Sequence, residues 1–200
     1  MGINGLLPQL KSITKNVHIK DYAGQRVAID GYAWLHKGVF CCAQELCLNQ
    51  PTDKFVNYCM HKIKMLLHFK VIPFVVFDGA NLPAKALTER ERAKKREENI
   101  AAAKQLLADA NRLRAVPSRK KEMQEKYKDA RQKFIGGVDV TPFMAYQWIK
   151  ELKVLNVAYV VAPYEADAQL AHLSSKFKIE IYVQAEHGRP QAVLPFLLDS

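Results

Sequence analysis

Hydrophobic residues fall along this chain in two rhythms. Short apolar runs occur at 26–30 (RVAID), 71–77 (VIPFVVF), 156–163 (NVAYVVAP) and 178–183 (KIEIYV). Runs of that length, rich in β-branched residues, predict buried strands. Between them the apolar spacing changes to three and four. In 31–48, Trp34, Leu35, Val39, Cys42 and Leu46 share a helical face, and in 51–70 so do Phe55, Cys59, Ile63, Leu66 and Leu67, with Pro51 near the helix start. The stretch 139–154 is a third amphipathic helix, with Thr141 as N-cap and Pro142 as first helical residue, and 164–176 is another. Strands alternating with helices, each strand a nearly continuous apolar run, predict an α/β fold: a parallel sheet covered by helices on both faces.

One segment breaks this regularity. From Leu82 to Lys133 the chain is charged and poor in apolar residues, and Pro117 divides it into two helices joined by a turn. Lys85 to Lys133 holds 16 Lys and Arg against 8 Asp and Glu, a net +8 of the chain's +10. A charge run of this kind is either a solvated helix face or a surface for nucleic acid. An interfacial membrane helix is excluded, because these helices lack an opposite face rich in aromatics and leucine. No run of about 18 apolar residues occurs, and the start lacks signal-peptide composition, so a soluble intracellular protein without a membrane partner is expected. Myristoylation of Gly2 is excluded by Leu6, where Ser or Thr is required. Cys41, Cys42, Cys47 and Cys59 have no CxxC spacing and no paired histidines, and are expected to be buried free thiols.

Ligands of open parallel sheets bind at the carboxyl ends of the strands. Asp30, Asp78 and the pair Glu165 and Asp167 all stand just past strand ends, so three strands bring four acids to one rim. Taken singly, Asp30 and Asp78 also suit turns or N-caps, and Glu165 and Asp167 suit the first turn of a helix. Taken together they would repel one another unless a cation neutralised them, and hard oxygen donors without His or Cys select Mg²⁺ or Mn²⁺. Two such ions about 4 Å apart are a device for phosphodiester hydrolysis. Lys85, Arg92 and Arg96, spaced seven and four apart, form one stripe at the start of the basic segment. Tyr32 and His36, four apart after Asp30, share a helical face that suits either base stacking or the core.

The motifs MGINGLLPQLK at the amino terminus, VAIDGYAWLHKG around Asp30, VVFDG around Asp78 and VAPYEADAQLAHL around Glu165 resemble the flap endonuclease and XPG superfamily of 5′ nucleases. DGYAWLHKG and NLPAK are nearest to its exonuclease members. The resemblance covers residues 1 to about 180. It implies a PIN-like nuclease core with a basic helical cap, read as an N-terminal nuclease region over 1–100, a gateway segment over 82–135, an internal nuclease region over 140–183 and a divergent tail over 184–200. It implies a 5′ to 3′ exonuclease and 5′ flap endonuclease in the nucleus, acting as a monomer on duplex DNA with 5′ ends, flaps or nicks. Repair, recombination and replication are its implied settings, and two Mg²⁺ ions, replaceable by Mn²⁺, its cofactors.

Carried over by residue, Asp30, Asp78, Glu165 and Asp167 are the expected metal acids. Lys85 and Arg92 are expected to reach the scissile phosphate, and Gly2, Tyr32, His36 and Arg96 to contact DNA. The family pattern continues with an acidic cluster after Glu180. Here Glu186 falls where the first further acid is expected and Gly188 where the second is, while Asp199 lies farther on. That departure implies a weakened second metal and an incomplete form of the nuclease. The alternative expectation is therefore a DNA-binding fragment that occupies 5′ ends without cleaving them.

Overall fold

The computed structural model describes residues 17–177 and 180–182. Four parallel strands, β1 (Arg26–Asp30), β2 (Ile72–Phe77), β3 (Ala158–Val161) and β4 (Glu180–Tyr182), form one sheet in the order β3-β2-β1-β4. Asp30 stands in register with Val76, and Phe77 with Val161, so β1, β2 and β3 end along one edge. Seven α-helices connect them: α1 (Gly31–Gly38), α2 (Ala43–Cys47), α3 (Lys54–His68), α4 (Ala86–Leu113), α5 (Lys120–Gly137), α6 (Pro142–Val154) and α7 (Ala166–Phe177). This is the α/β architecture the alternating pattern predicts.

The order of strands decides which face each helix covers. From β1 to β3 the chain steps one way across the sheet, and from β3 it returns past β1 to β4. Right-handed crossovers then require the connecting helices to change face at that reversal. They do. Val27, Ile29, Val75 and Phe77 pack on one face with Trp34, Phe55, Ile63, Trp148 and Leu152 from α1, α3 and α6. The alternate residues Ala28 and Val76 pack on the other face with Ala166, Leu170 and Leu173 of α7. In the larger core Trp34 and Trp148 stack with centroids 6.2 Å apart, and Phe77 meets Trp148 edge-on at 5.3 Å.

Between β2 and β3 the chain makes an excursion. The 28 residues of α4, about 42 Å of helix, run out from the sheet edge and α5 returns beside them. Small buried residues, Ala103, Ala110 and Ala130, let the two backbones approach, and Phe134 anchors the hairpin in the main core. Tyr127 Oη donates to Asn111 Oδ1 at 2.8 Å, and Asn99 Nδ2 donates to the Gly136 carbonyl at 3.1 Å, which fixes the antiparallel register. The charged segment, poor in apolar residues, thus makes a narrow seam of its own, while its charges stay outside.

Four expectations change in detail. The helix over 31–48 is interrupted at Val39–Cys41, a 3-10 turn, because Cys42 adopts φ −131° and leaves the helix. Val39 and Cys42, on either side of the break, are both fully buried. Second, β3 is an edge strand among the described residues and is only half-covered, with Val161 50% exposed. Third, Thr141 occupies the N-cap of α6 without a side-chain cap bond, and its carbonyl accepts from Met144 N–H at 3.0 Å instead. Fourth, of the four free thiols Cys42 and Cys59 are buried, Cys47 is intermediate and Cys41 is exposed.

Candidate active site

Each acid at the sheet edge is placed by backbone bonding. Asp30 ends β1 and also caps α1, its Oδ1 accepting from Ala33 N–H at 2.9 Å. Gly31, next in the chain, lies so close to the Phe77 ring that a Cβ there would stand 2.8 Å from it, so α1 starts hard against β2. Asp78 follows β2, and its Oδ1 accepts from Ala166 N–H at 2.6 Å, across 88 positions of sequence. Capping and clustering are therefore not alternatives for these two acids, because one carboxylate oxygen does the capping and the other remains for the cleft.

A backbone clasp brings the third strand end to the second. Ala162 N–H donates to the Phe77 carbonyl at 2.8 Å, Gly79 N–H to the Tyr164 carbonyl at 2.6 Å and Ala80 N–H to the Pro163 carbonyl at 3.0 Å. Glycine is required at 79, since a Cβ there would lie 1.8 Å from the Ala162 carbonyl oxygen. The clasp sets Glu165 and Asp167, at the start of α7, beside Asp78.

These residues wall an open cleft of about 860 Å³ between the sheet edge, α1 and the root of α4. Asp30, Asp78, Glu165 and Asp167 line it together with Tyr32, His36, Lys85, Arg92 and Arg96. Lys85 stands one residue before α4, ending the 3-10 turn Pro83–Lys85 rather than lying on the helix, yet it faces the same cleft as the two arginines. Each of the three cations has an acid partner: Lys85 Nζ pairs with Glu165 Oε1, Arg92 Nη1 with Glu89 Oε1 at 2.7 Å, and Arg96 Nη2 with Asp139 Oδ2 at 3.3 Å. Gly2 and Glu186, with Gly188 and Asp199, lie outside the described residues.

The acids are electrostatically crowded. Burial pushes the Asp30 carboxyl up to about 6, the bond from Ala33 N–H opposes this, and the charges of Asp78 and Asp167 add to the rise. Asp78 is raised for the same main reason, burial, opposed by Ala166 N–H and reinforced by Asp167 and Glu165. Burial likewise raises the Tyr32 phenol, with Asp78 and Asp139 adding to it. The His36 ring reaches the surface, but the crowded cleft wall removes enough water to hold it below its ordinary value against the pull of Asp139 and Asp78.

Glu89 and Asp139 are absent from the sequence reading, because neither follows a strand. The legible signal for Asp139 was its place between Val138 and Val140. Both valines are buried, so alternation turns the acid outward into the cleft.

An oxygen-only donor set whose members raise one another's proton affinity suits a hard divalent cation. Among the described residues no three His, Cys, Asp or Glu side chains already stand close enough to hold a metal, and Lys85 supplies positive charge at Glu165.

Residues 1–99 match the XPG N-terminal domain. Over 174 residues, 87% of this chain, the sequence is 45% identical to exonuclease 1 of Danio rerio, of which the match covers 20%. It is 44% identical to exonuclease 1 of Arabidopsis thaliana over 92% of this chain and 23% of that protein. With DNA damage-inducible protein DIN7 of Saccharomyces cerevisiae the identity is 43%, over 86% of this chain and 37% of the relative. The chain thus spans between about a fifth and two fifths of the curated relatives it matches. Among solved structures, the catalytic core of Rad2 in complex with DNA substrate superposes with a TM-score of 0.60 at 19% identity, covering 95% of this chain and 53% of that one. Flap endonuclease-1 from Methanococcus jannaschii gives 0.54 at 20% identity, covering 93% and 62%. The match over residues 1–99 and the identity to exonuclease 1 over most of the chain lead to one conclusion: the chain carries an XPG N-terminal domain and is similar to exonuclease 1 over most of its length.

Proposed function

We propose that this chain is the nuclease region of an exonuclease 1-like enzyme that hydrolyses phosphodiester bonds of DNA from 5′ ends and at 5′ flaps, in repair, recombination and replication in the nucleus. One observation carries the reading: four acids from three strand ends and three cations from the root of α4 line a single cleft. Asp30, Asp78, Glu165 and Asp167 are the residues that would hold two Mg²⁺ or Mn²⁺ ions. Such ions, when bound, supply an ionised water as nucleophile and neutralise charge on the leaving oxygen.

The rest is done by side chains. Lys85 and Arg92 exchange their carboxylate partners for the phosphate, where the planar guanidinium gives two-point contact and the ammonium a point charge. Tyr32 and His36, on the opposite wall, offer ring faces to the bases beside the reacting phosphate.

A second reading is a chain that occupies 5′ ends without cutting them. It is favoured by the Lys85–Glu165 pair, which sets a cation against one of the expected metal acids. The decisive experiment is cleavage of a 5′-labelled flap and a recessed-end duplex by the purified chain with Mg²⁺ or Mn²⁺, with Asp78→Asn as control. Asn keeps the oxygen that accepts from Ala166 N–H, so the control tests charge rather than folding. Metal-dependent product that disappears in the variant supports the nuclease. Salt-sensitive binding without product establishes the second reading. In an active enzyme Lys85→Ala lowers cleavage more than binding.

A further inference from the structure

The linker from α5 to α6, residues 138–141, carries a single acid, Asp139, whose side chain is exposed while its backbone is held on both sides. Val138 and Val140 are sunk in the core on either side of it. One residue earlier, Gly137 is pressed onto α4. A Cβ there would stand 2.7 Å from Ile100 Cγ1 and 3.2 Å from the Arg96 carbonyl oxygen, the helical turn that carries the Arg96 side chain. Asn99, in that same turn, holds the Gly136 carbonyl. Two backbones fixed this closely hold Asp139 beside Arg96, and Arg96 Nη2 meets Asp139 Oδ2 at 3.3 Å, with the arginine side chain 25% and the aspartate side chain 53% exposed. The charge of Asp139 also reaches across the cleft, where it acts on both Tyr32 and His36.

A carboxylate in this position works against the partner the cleft is read to accept. It repels a phosphodiester backbone and occupies a cation that would otherwise attract one. We propose that Asp139 is a specificity-determining brake. It sequesters Arg96 so that only a nucleic-acid backbone with a phosphate seated between α1 and α4 can displace it, while a polyanion passing the cleft cannot. Discrimination of this kind comes from an element that penalises the wrong partner rather than from one that rewards the right one. The inference rests on the reading of the cleft as a DNA site.

The test is direct binding of a labelled duplex, blunt and with a 5′ flap, measured by fluorescence anisotropy across salt concentrations for wild type, Asp139→Asn, Asp139→Glu, Arg96→Gln and the double variant Asp139→Asn/Arg96→Gln. Asn is nearly isosteric with Asp and keeps an oxygen acceptor, and thermal melting checks that each variant is folded. The expected result is a gain for Asp139→Asn of roughly three- to tenfold on blunt duplex and less on the flap. Its plot of log K against log salt steepens by about 0.9, the release expected for one more engaged cation. Asp139→Glu behaves as wild type, and the double variant shows no gain over Arg96→Gln. Weaker or unchanged binding by Asp139→Asn overturns the proposal, and so does an equal gain on the Arg96→Gln background, which would reflect net charge alone. Wild type that binds no duplex at any salt overturns the DNA reading itself, and the brake with it; wild type that binds while Asp139→Asn gains nothing overturns the brake only.

Discussion

Asp30 does two jobs that pull against each other. As N-cap it accepts the Ala33 N–H, which favours the charged form, while burial beside Asp78 and Asp167 favours the neutral one, and burial prevails. The sign of the consequence follows from linkage. An acid whose folded value, about 6, exceeds its ordinary value of 3.8 binds protons more tightly when folded. It therefore costs no stability below about pH 4, costs progressively more as pH rises to 6, and exacts its full penalty above that. In metal-free buffer Asp30→Asn is expected to raise stability at pH 7.5 by up to about 3 kcal/mol and to leave it unchanged near pH 4, as read from urea midpoints. Added Mg²⁺ is expected to stabilise the wild type and not the variant, since only binding to the folded state shifts the midpoint. The four acids were legible in the sequence because three strand ends bring them to one rim; singly, each also suits a turn, a cap or a first helical turn. Glu89 was not, because its cleft exists only once the hairpin root folds over the sheet edge, and Asp139 showed only as an acid set between two apolar residues.

Among the elements, the strand exits matter more than the strands. The turn after β2 and the turn after β3 are joined by backbone bonds, Gly79 and Ala80 donating and the Phe77 carbonyl accepting, and Gly79 tolerates no side chain against the Ala162 carbonyl. Gly79→Ala is expected to cost about 3 kcal/mol or more, since backbone rather than a pliable side chain must move. It should separate Asp78 from Glu165, which a lowered melting temperature together with weakened Mn²⁺ binding would register. A variant as stable as wild type would show that the clasp opens freely. The strands themselves were legible from apolar runs, and α3 and α6 from their periodicity. The break after α1 was not, because Val39 and Cys42, three apart, fit a continuous helical face and are buried in the broken one as well. The half-exposed state of β3 was hidden for a similar reason: an apolar run looks the same at the edge of a sheet as at its centre.

For the whole molecule, charge and core are sorted into different places. The sheet and its helices are nearly neutral, and the α4–α5 hairpin with its approach carries +8 of the net +10. A field concentrated this way predicts DNA affinity that falls steeply with salt. The expected slope of log K against log salt is about −5 or steeper, which corresponds to some six phosphate contacts; anisotropy between 50 and 200 mM salt measures it. A slope near −1 would show that the hairpin lies off the path of the DNA. Among the described residues no helix is long and apolar enough to cross a membrane.

The clasp between the exits of β2 and β3 has one more consequence. It closes the ring of chain that contains α4, α5 and α6, spanning 88 positions from Asp78 to Ala166, at its narrowest point. The chemistry sits at that closure, and the hairpin hangs from it. Lengthening a closed loop is cheap, about 0.6 kcal/mol for each doubling, and residues added at the far tip of α4 and α5 leave the closure where it is. The hairpin is in effect an exchangeable cassette: its reach and charge can diverge from one protein to another while the carboxylates keep their spacing.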